Sequence, residues 1–432
     1  MTEPRNITIS VPVLARVEGE GALEIRTRGR EITALNLRIF EPPRLFEKIL
    51  EGRDFGEVPD LVARICGICP VAYQMSAVHA FEQLFGLDPS PWVRDMRRVL
   101  YCGEWMQSHA LHIHMLAAPD LLGYDNAIAM ARDHPQIVRR GLLLQALGND
   151  LIRLFGGRSV HPVGVHVGGF HHAPARSDVA ELYARLSAAI PEAEALVRWV
   201  AALKLPEAEQ RFVSVSLRHP DEYPMNAGRL ASSAGLDAAV EEFEQHFAEH
   251  QVEHSTALYC LLGGRPYLVG PLARVNLNLE RLPAAVRVAL DESGIVWPSR
   301  NPFHAIVARA AEIYYAVLEA SRILKDYRVP GMPGAAVVPR AGVAIAATEA
   351  PRGTLWHRYD VQEDGRVLRA RIVPPTSQNQ ARIEADLRQS LATLGLDRSD
   401  DELRRHCEMV IRSYDPCISC ATHFLDLRLH RR

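Results

Sequence analysis

Hydrophobic and polar positions alternate through residues 7–40, ITISVPVLARVEGEGALEIRTRGREITALNLRIF, with glycines interrupting the run. A period of two broken by glycine predicts a small antiparallel sheet. From Pro43 onward the period becomes helical. Ser90-Pro91 supplies a capping hydroxyl and a proline at the first helical position, so a long helix is expected through His114. Apolar residues at helical spacing predict further helices at about 131–155, 177–203, 237–250, 303–327, 380–394 and 399–413. Strand-like stretches fall at 266–276, 342–348 and 366–373. The expected class is α+β, mainly helical. No repeat or low-complexity linker marks an internal boundary, so residues 1–432 are expected to form one domain.

Composition changes this picture little. The chain is 48% hydrophobic and 23% charged, which excludes wholesale disorder. A net charge of −3 offers no footprint for nucleic acid or an acidic membrane surface. No apolar run reaches the length of a membrane span, and the start MTEPRNITIS lacks the basic and apolar regions of a secretion leader. A cytoplasmic protein is expected. All but three of the 49 basic residues are arginine, the lysines being Lys48, Lys204 and Lys325. That excess reads as a coding bias, so a lone arginine carries no functional signal by itself.

The cysteines carry more. Seven are too few for a disulfide framework in 432 residues. Cys66 and Cys69 form one CxxC in RICGICP, and Cys417 and Cys420 form another in DPCISCATH near the opposite end. Cys102, Cys260 and Cys407 stand singly and read as small buried hydrophobes. Each CxxC presents two soft thiols to one centre. Separate redox pairs, or a four-cysteine zinc site, would also use that spacing, but zinc knuckles lie closer together in sequence. Four thiolates converging from both chain ends would suit a soft or borderline transition metal. Spacing alone does not name it.

The wider motifs resemble the large, catalytic subunit of the [NiFe]-hydrogenases. Arg44-Leu45-Phe46-Glu47, then fifteen residues, Ala63 and Arg64-Ile65-Cys66-Gly67-Ile68-Cys69 follow the first family signature, with Leu45 in place of the usual glycine. Tyr414-Asp415-Pro416-Cys417-Ile418-Ser419-Cys420-Ala421-Thr422-His423 matches the second throughout. Arg16-Val17-Glu18-Gly19, SHALHIHMLAAPD ending in Asp120, Arg158 with His161-Pro162, Ala350-Pro351-Arg352-Gly353 and Pro375-Thr376 resemble stretches between them. The resemblance implies a long central helix bundle with small peripheral antiparallel sheets, and N- and C-terminal motifs meeting at a buried metal site.

Carried over position by position, it implies that Cys66 and Cys417 are terminal nickel ligands and that Cys69 and Cys420 bridge nickel and iron. Carbonyl and cyanide would complete the iron. Arg352, Pro375 and Thr376 would line those ligands, Arg352 and Thr376 as hydrogen-bond donors. Tyr73 stands where the family often has histidine, and a phenol can still donate to a thiolate. Heterolytic splitting of hydrogen needs a base: the Cys417 thiolate is the preferred first acceptor, with Glu18 next. Arg352, assisted by Asp120 and Asp415, is the alternative, weakened by arginine's fixed charge. Glu47, His423 and the Ile372 carbonyl would bind magnesium, or iron(II), near the C-terminus.

The histidines of 161–172 and the His109/His112 pair read as structural. Neither a GxGxxG after a strand nor a phosphate-binding loop occurs, and no four cysteines remain for a cluster. The resemblance implies a small Fe–S subunit as partner, with NAD(P)-binding diaphorase subunits beyond it, as in the soluble branch. Residues 424–432, FLDLRLHRR, look like a propeptide removed by a maturation protease after a chaperone-assisted loading; a permanent tail is the alternative. A hydrogen sensor and a structural zinc protein are the competing functions.

Overall fold

The Ser90 hydroxyl accepts from the Val93 amide at 3.3 Å, and Pro91 opens the helix Pro91–Leu111. A wider π turn, His112–Ala117, carries it on into Ala118–Leu122, which stops at Gly123 with φ 80°. This helix is the axis of a bundle with Pro135–Gly156, Arg176–Ala201 and Ala305–Lys325. A Cβ on Gly103 would lie 2.8 Å from the Gly148 carbonyl, and one on Gly148 2.5 Å from that of Gly103. Only glycine lets those two backbones touch. The computed structural model describes residues 8–29, 31–42 and 45–422, so Arg44, His423 and the segment 424–432 lie outside the described residues.

Two three-stranded antiparallel sheets flank the bundle. Thr8–Val11, Gly21–Arg28 and Glu31–Ile39 form the first, as the alternation predicts. Its apolar face shares a core with helices Pro375–Leu394 and Asp400–Ser413, the latter opened by a Ser399/Glu402 capping box. The second comprises Gly342–Ala350, Gly353–Val361 and Val367–Val373, and lies on helix Pro70–Phe85. The architecture is the mainly helical α+β arrangement expected. Among the described residues, no helix is long and apolar enough to cross a membrane.

Two of the expected elements take another form. The helix expected over 237–250 is a short strand, a helical turn Phe243–His246 and a strand Phe247–His250. Phe243 and Phe247, four apart as on a helix, stack at 4.4 Å between centroids, and Phe243 also stacks on Trp356. Pairing of Phe247–His250 with Tyr259–Leu262 then outweighs helix propensity. The strand expected over 266–276 pairs only at Leu268, and Gly270-Pro271 begins helix Pro271–Asn278 instead.

The candidate metal centre

Cys66 ends the turn Ala63–Ile65, and Cys69 immediately precedes helix Pro70–Phe85. The chain folds back between them so that the amides of Ile68 and Cys69 both donate to Cys66 Sγ at 3.3 Å. Amides at a helix start favour a thiolate there. Glu104, buried on the central helix, accepts from Val71 and Ala72 at 2.6 and 3.1 Å and so fixes that start. It has no sequence motif; its one signal is a lone acid inside the apolar stretch YCGEWM.

The second pair arrives from the other end. Asp415 takes a left-handed conformation, φ 53°, and turns Pro416-Cys417 inward. Cys417 donates its amide to Thr376 Oγ1 at 2.9 Å, and the Ile418 amide donates to the Glu18 carbonyl at 3.0 Å. Glu18 and Cys417 thus pair as a short parallel bridge that staples the two ends of the described chain. Cys66 and Cys417 sulfurs stand 3.6 Å apart, and all four sulfurs lie within 4.8 Å of one another, every one buried. No other group of three or more His, Cys, Asp and Glu side chains among the described residues is arranged to hold a metal.

The thiols do not ionise alike. Hydrogen bonds from Cys417, then Cys420 and Cys69, pull Cys66 well down, whereas burial pushes Cys417 well up. Four thiolates this close repel one another, and a bound cation offsets that repulsion. By contrast, burial drives Cys260 and Cys407 up to about 12, so these remain thiols, as expected of buried single cysteines.

Arg352 occupies the two-residue turn between strands Gly342–Ala350 and Gly353–Val361. Its Nε donates to the Asp415 carbonyl at 2.7 Å and its Nη2 to Asp415 Oδ1 at 3.1 Å. Burial opposes its charge, but the Asp415 carboxylate beside it holds it firmly protonated. Asp415 is held low in return: burial is outweighed by Arg352, then His112 and Arg309. Arg352 Nη1 and the Tyr73 hydroxyl are buried without a hydrogen-bond partner. Buried donors are ordinarily satisfied, so both fit a bound group that brings its own acceptors, and four thiols fit a thiophilic metal.

The remaining expected positions fall as follows. Glu18 Oε2 accepts from Cys417 Sγ at 3.1 Å and from the Ser419 amide at 3.1 Å. Pro375 and Thr376 open the helix that meets Cys417. Asp120 lies apart from Arg352's bonds: Arg412 donates to it at 2.6 and 3.1 Å, and Arg16 pairs with it too. Glu47 Oε1 accepts from the Ile372 amide at 2.7 Å, and both line a cavity of about 440 Å³ that reaches Cys420. His109 and His112 are core residues as expected, bonded to Glu312 and to the Arg412 carbonyl. His161 bonds the Ala63 carbonyl at 2.8 Å, a structural use.

A buried centre of four thiols, drawn from residues 66–69 and 417–420 beside a buried arginine, defines a metal–thiolate protein. The chain belongs to the nickel-dependent hydrogenase family, whose model matches residues 44–138 and 300–423. It is 32% identical to sulfhydrogenase 1 subunit alpha of Pyrococcus furiosus over 98% of this chain and 99% of that one. Sulfhydrogenase 2 subunit alpha of the same organism is 31% identical over 97% and 100%. An NAD+-reducing [NiFe]-hydrogenase in the H2-reduced state superposes with a TM-score of 0.89, at 26% identity, over 98% of this chain and 100% of that chain. The chain is a hydrogenase catalytic large subunit, an oxidoreductase acting on hydrogen.

Proposed function

We propose that this subunit splits hydrogen reversibly in the cytoplasm and passes the electrons, through a separate small Fe–S subunit and diaphorase subunits, to NAD(P)+. When bound, a nickel–iron group supplies the Lewis acidity and redox capacity for that chemistry. Cys66, Cys69, Cys417 and Cys420 would hold that group through their sulfurs, and carbonyl and cyanide would complete its iron. Arg352 Nη1 and the Thr376 hydroxyl would donate to the diatomic ligands, cyanide above all, and Pro375 and Tyr73 would line them. Because Asp415 keeps Arg352 cationic, Arg352 stabilises charge over the site rather than removing a proton.

The observation that carries this reading is the contact of Cys417 Sγ with Glu18 Oε2 at 3.1 Å. The thiol therefore has an acceptor already in hydrogen-bond reach, and Glu18 is only partly buried, so a proton received at its carboxylate can leave toward solvent. Glu47, the residue 372 carbonyl and His423 would hold magnesium or iron(II). Residues 1–432 act as one domain, loaded with help from a chaperone and trimmed after His423 by a maturation protease. Cys102, Cys260 and Cys407 sit in three separate cores, so those three do not share a metal cluster.

Likeness to the NAD+-reducing enzyme supports the acceptor. The test is purification of the native complex followed by hydrogen-dependent reduction of NAD+, NADP+ and a viologen dye. The reading expects nicotinamide reduction alongside dye reduction. Dye reduction with neither nicotinamide reduced would leave a hydrogenase but overturn the acceptor.

A further inference from the structure

The turn that carries Arg352 is gripped from behind by a second arginine. Arg274, on helix Pro271–Asn278, is fully buried, and all five of its N–H groups are used. Nε and Nη2 clamp the two oxygens of Glu312, each at 2.7 Å. Nη1 donates to Glu349 Oε2 at 2.9 Å and to the Ala350 carbonyl at 2.7 Å; Nη2 also donates to the Pro351 carbonyl at 2.9 Å. Those two carbonyls belong to the residues immediately before Arg352.

The clamp is itself fixed on every side. Glu312 also accepts from Tyr223 at 2.8 Å and His109 at 2.9 Å. Glu349 also accepts from the Leu217 amide at 2.7 Å and the Thr354 hydroxyl at 2.8 Å. The Arg274 guanidinium lies 4.5 Å over the Trp105 ring, and that indole donates to the Glu349 carbonyl at 3.0 Å. Only a planar fork with five donors meets this set; an ammonium has three and no plane.

We infer that Arg274 is a positioning residue that holds Arg352 over the four-cysteine centre through the Ala350 and Pro351 carbonyls. Glu312, Glu349 and Trp105 orient the guanidinium, so two helices of the bundle and one sheet set the place of a single side chain at the site. The inference rests on the reading of Arg352 as the group above a bound metal. Misplacing a catalytic group by about 1 Å costs on the order of 100-fold in rate.

The test is Arg274→Lys in the purified holoenzyme, beside Arg352→Lys and the double variant. Turnover with a viologen dye should fall about 100-fold in Arg274→Lys while nickel content stays at the wild-type level. The double variant should be no slower than Arg352→Lys alone, because Arg274 acts only through Arg352. A crystal structure of Arg274→Lys should show the Arg352–Asp415 contacts broken. Losses that multiply in the double variant, wild-type turnover, or an Arg352 still bonded to Asp415 would overturn the inference. Should Arg274→Lys fail to fold, Glu349→Gln weakens the same clamp and should lower turnover with nickel retained; unchanged turnover there would also overturn it. A wild-type protein without nickel or hydrogen turnover would sink the metal reading, while the crystal structure would still decide the positioning.

Discussion

Glu18 shows how little a single residue reveals until its partner is known. As a carboxylate in a strand-like segment it carries no signal; its motif raised it, and the contact with Cys417 Sγ gives it a task. Glu18→Gln keeps the size and the acceptor oxygen but gives up the proton-accepting carboxylate. Turnover should fall about 10²- to 10⁴-fold with nickel content unchanged. Near-wild-type turnover in the loaded variant would remove Glu18 from the proton route. Leu45 is the converse case: the sequence departs there from the usual glycine, and the backbone is left-handed, φ 56°. Glycine takes that conformation freely, whereas it costs a leucine about 1–2 kcal/mol.

At the scale of elements, legibility followed local chemistry. Ser90-Pro91 and Ser399 with Glu402 are complete start signals, and the helices begin where those residues stand. The first sheet was legible because one of its faces is buried and the alternation survives. The middle strand Gly353–Val361 is buried on nearly every residue, which erases the period of two, and no strand was expected there. The segment 237–250 was misread because Phe243 and Phe247 repeat at helical spacing while stacking in a turn. At the site, both CxxC pairs and Arg352 were legible as motifs. Glu104, Arg274, Glu312 and Glu349 were not, because their partners lie tens to hundreds of positions away.

The whole molecule is organised by the meeting of its Glu18 and Cys417 segments. Glu18 and Cys417 pair directly, so the first sheet, the C-terminal turn and the bundle close on one buried centre. Such a core also buries ionisable groups, and that has a consequence for acid stability. Burial pushes His109 and His114 down to about 4, and His112 and His357 to about 3. Their folded values lie below the free value of about 6.5, so the unfolded chain binds more protons between these limits. Stability is therefore fully present above about pH 6.5 and declines as pH falls toward 4. Denaturant titrations at pH 7 and pH 5 should give a lower midpoint at pH 5; equal midpoints would contradict the burial of these imidazoles as neutral rings.

The central claim is that the four cysteines hold nickel and iron for hydrogen chemistry. Metal analysis combined with infrared spectroscopy of the purified mature protein tests it most directly. The account predicts nickel with at least one iron for each nickel, and stretching bands of iron-bound carbonyl and cyanide. Zinc in the site, with no nickel and no such bands, would contradict it.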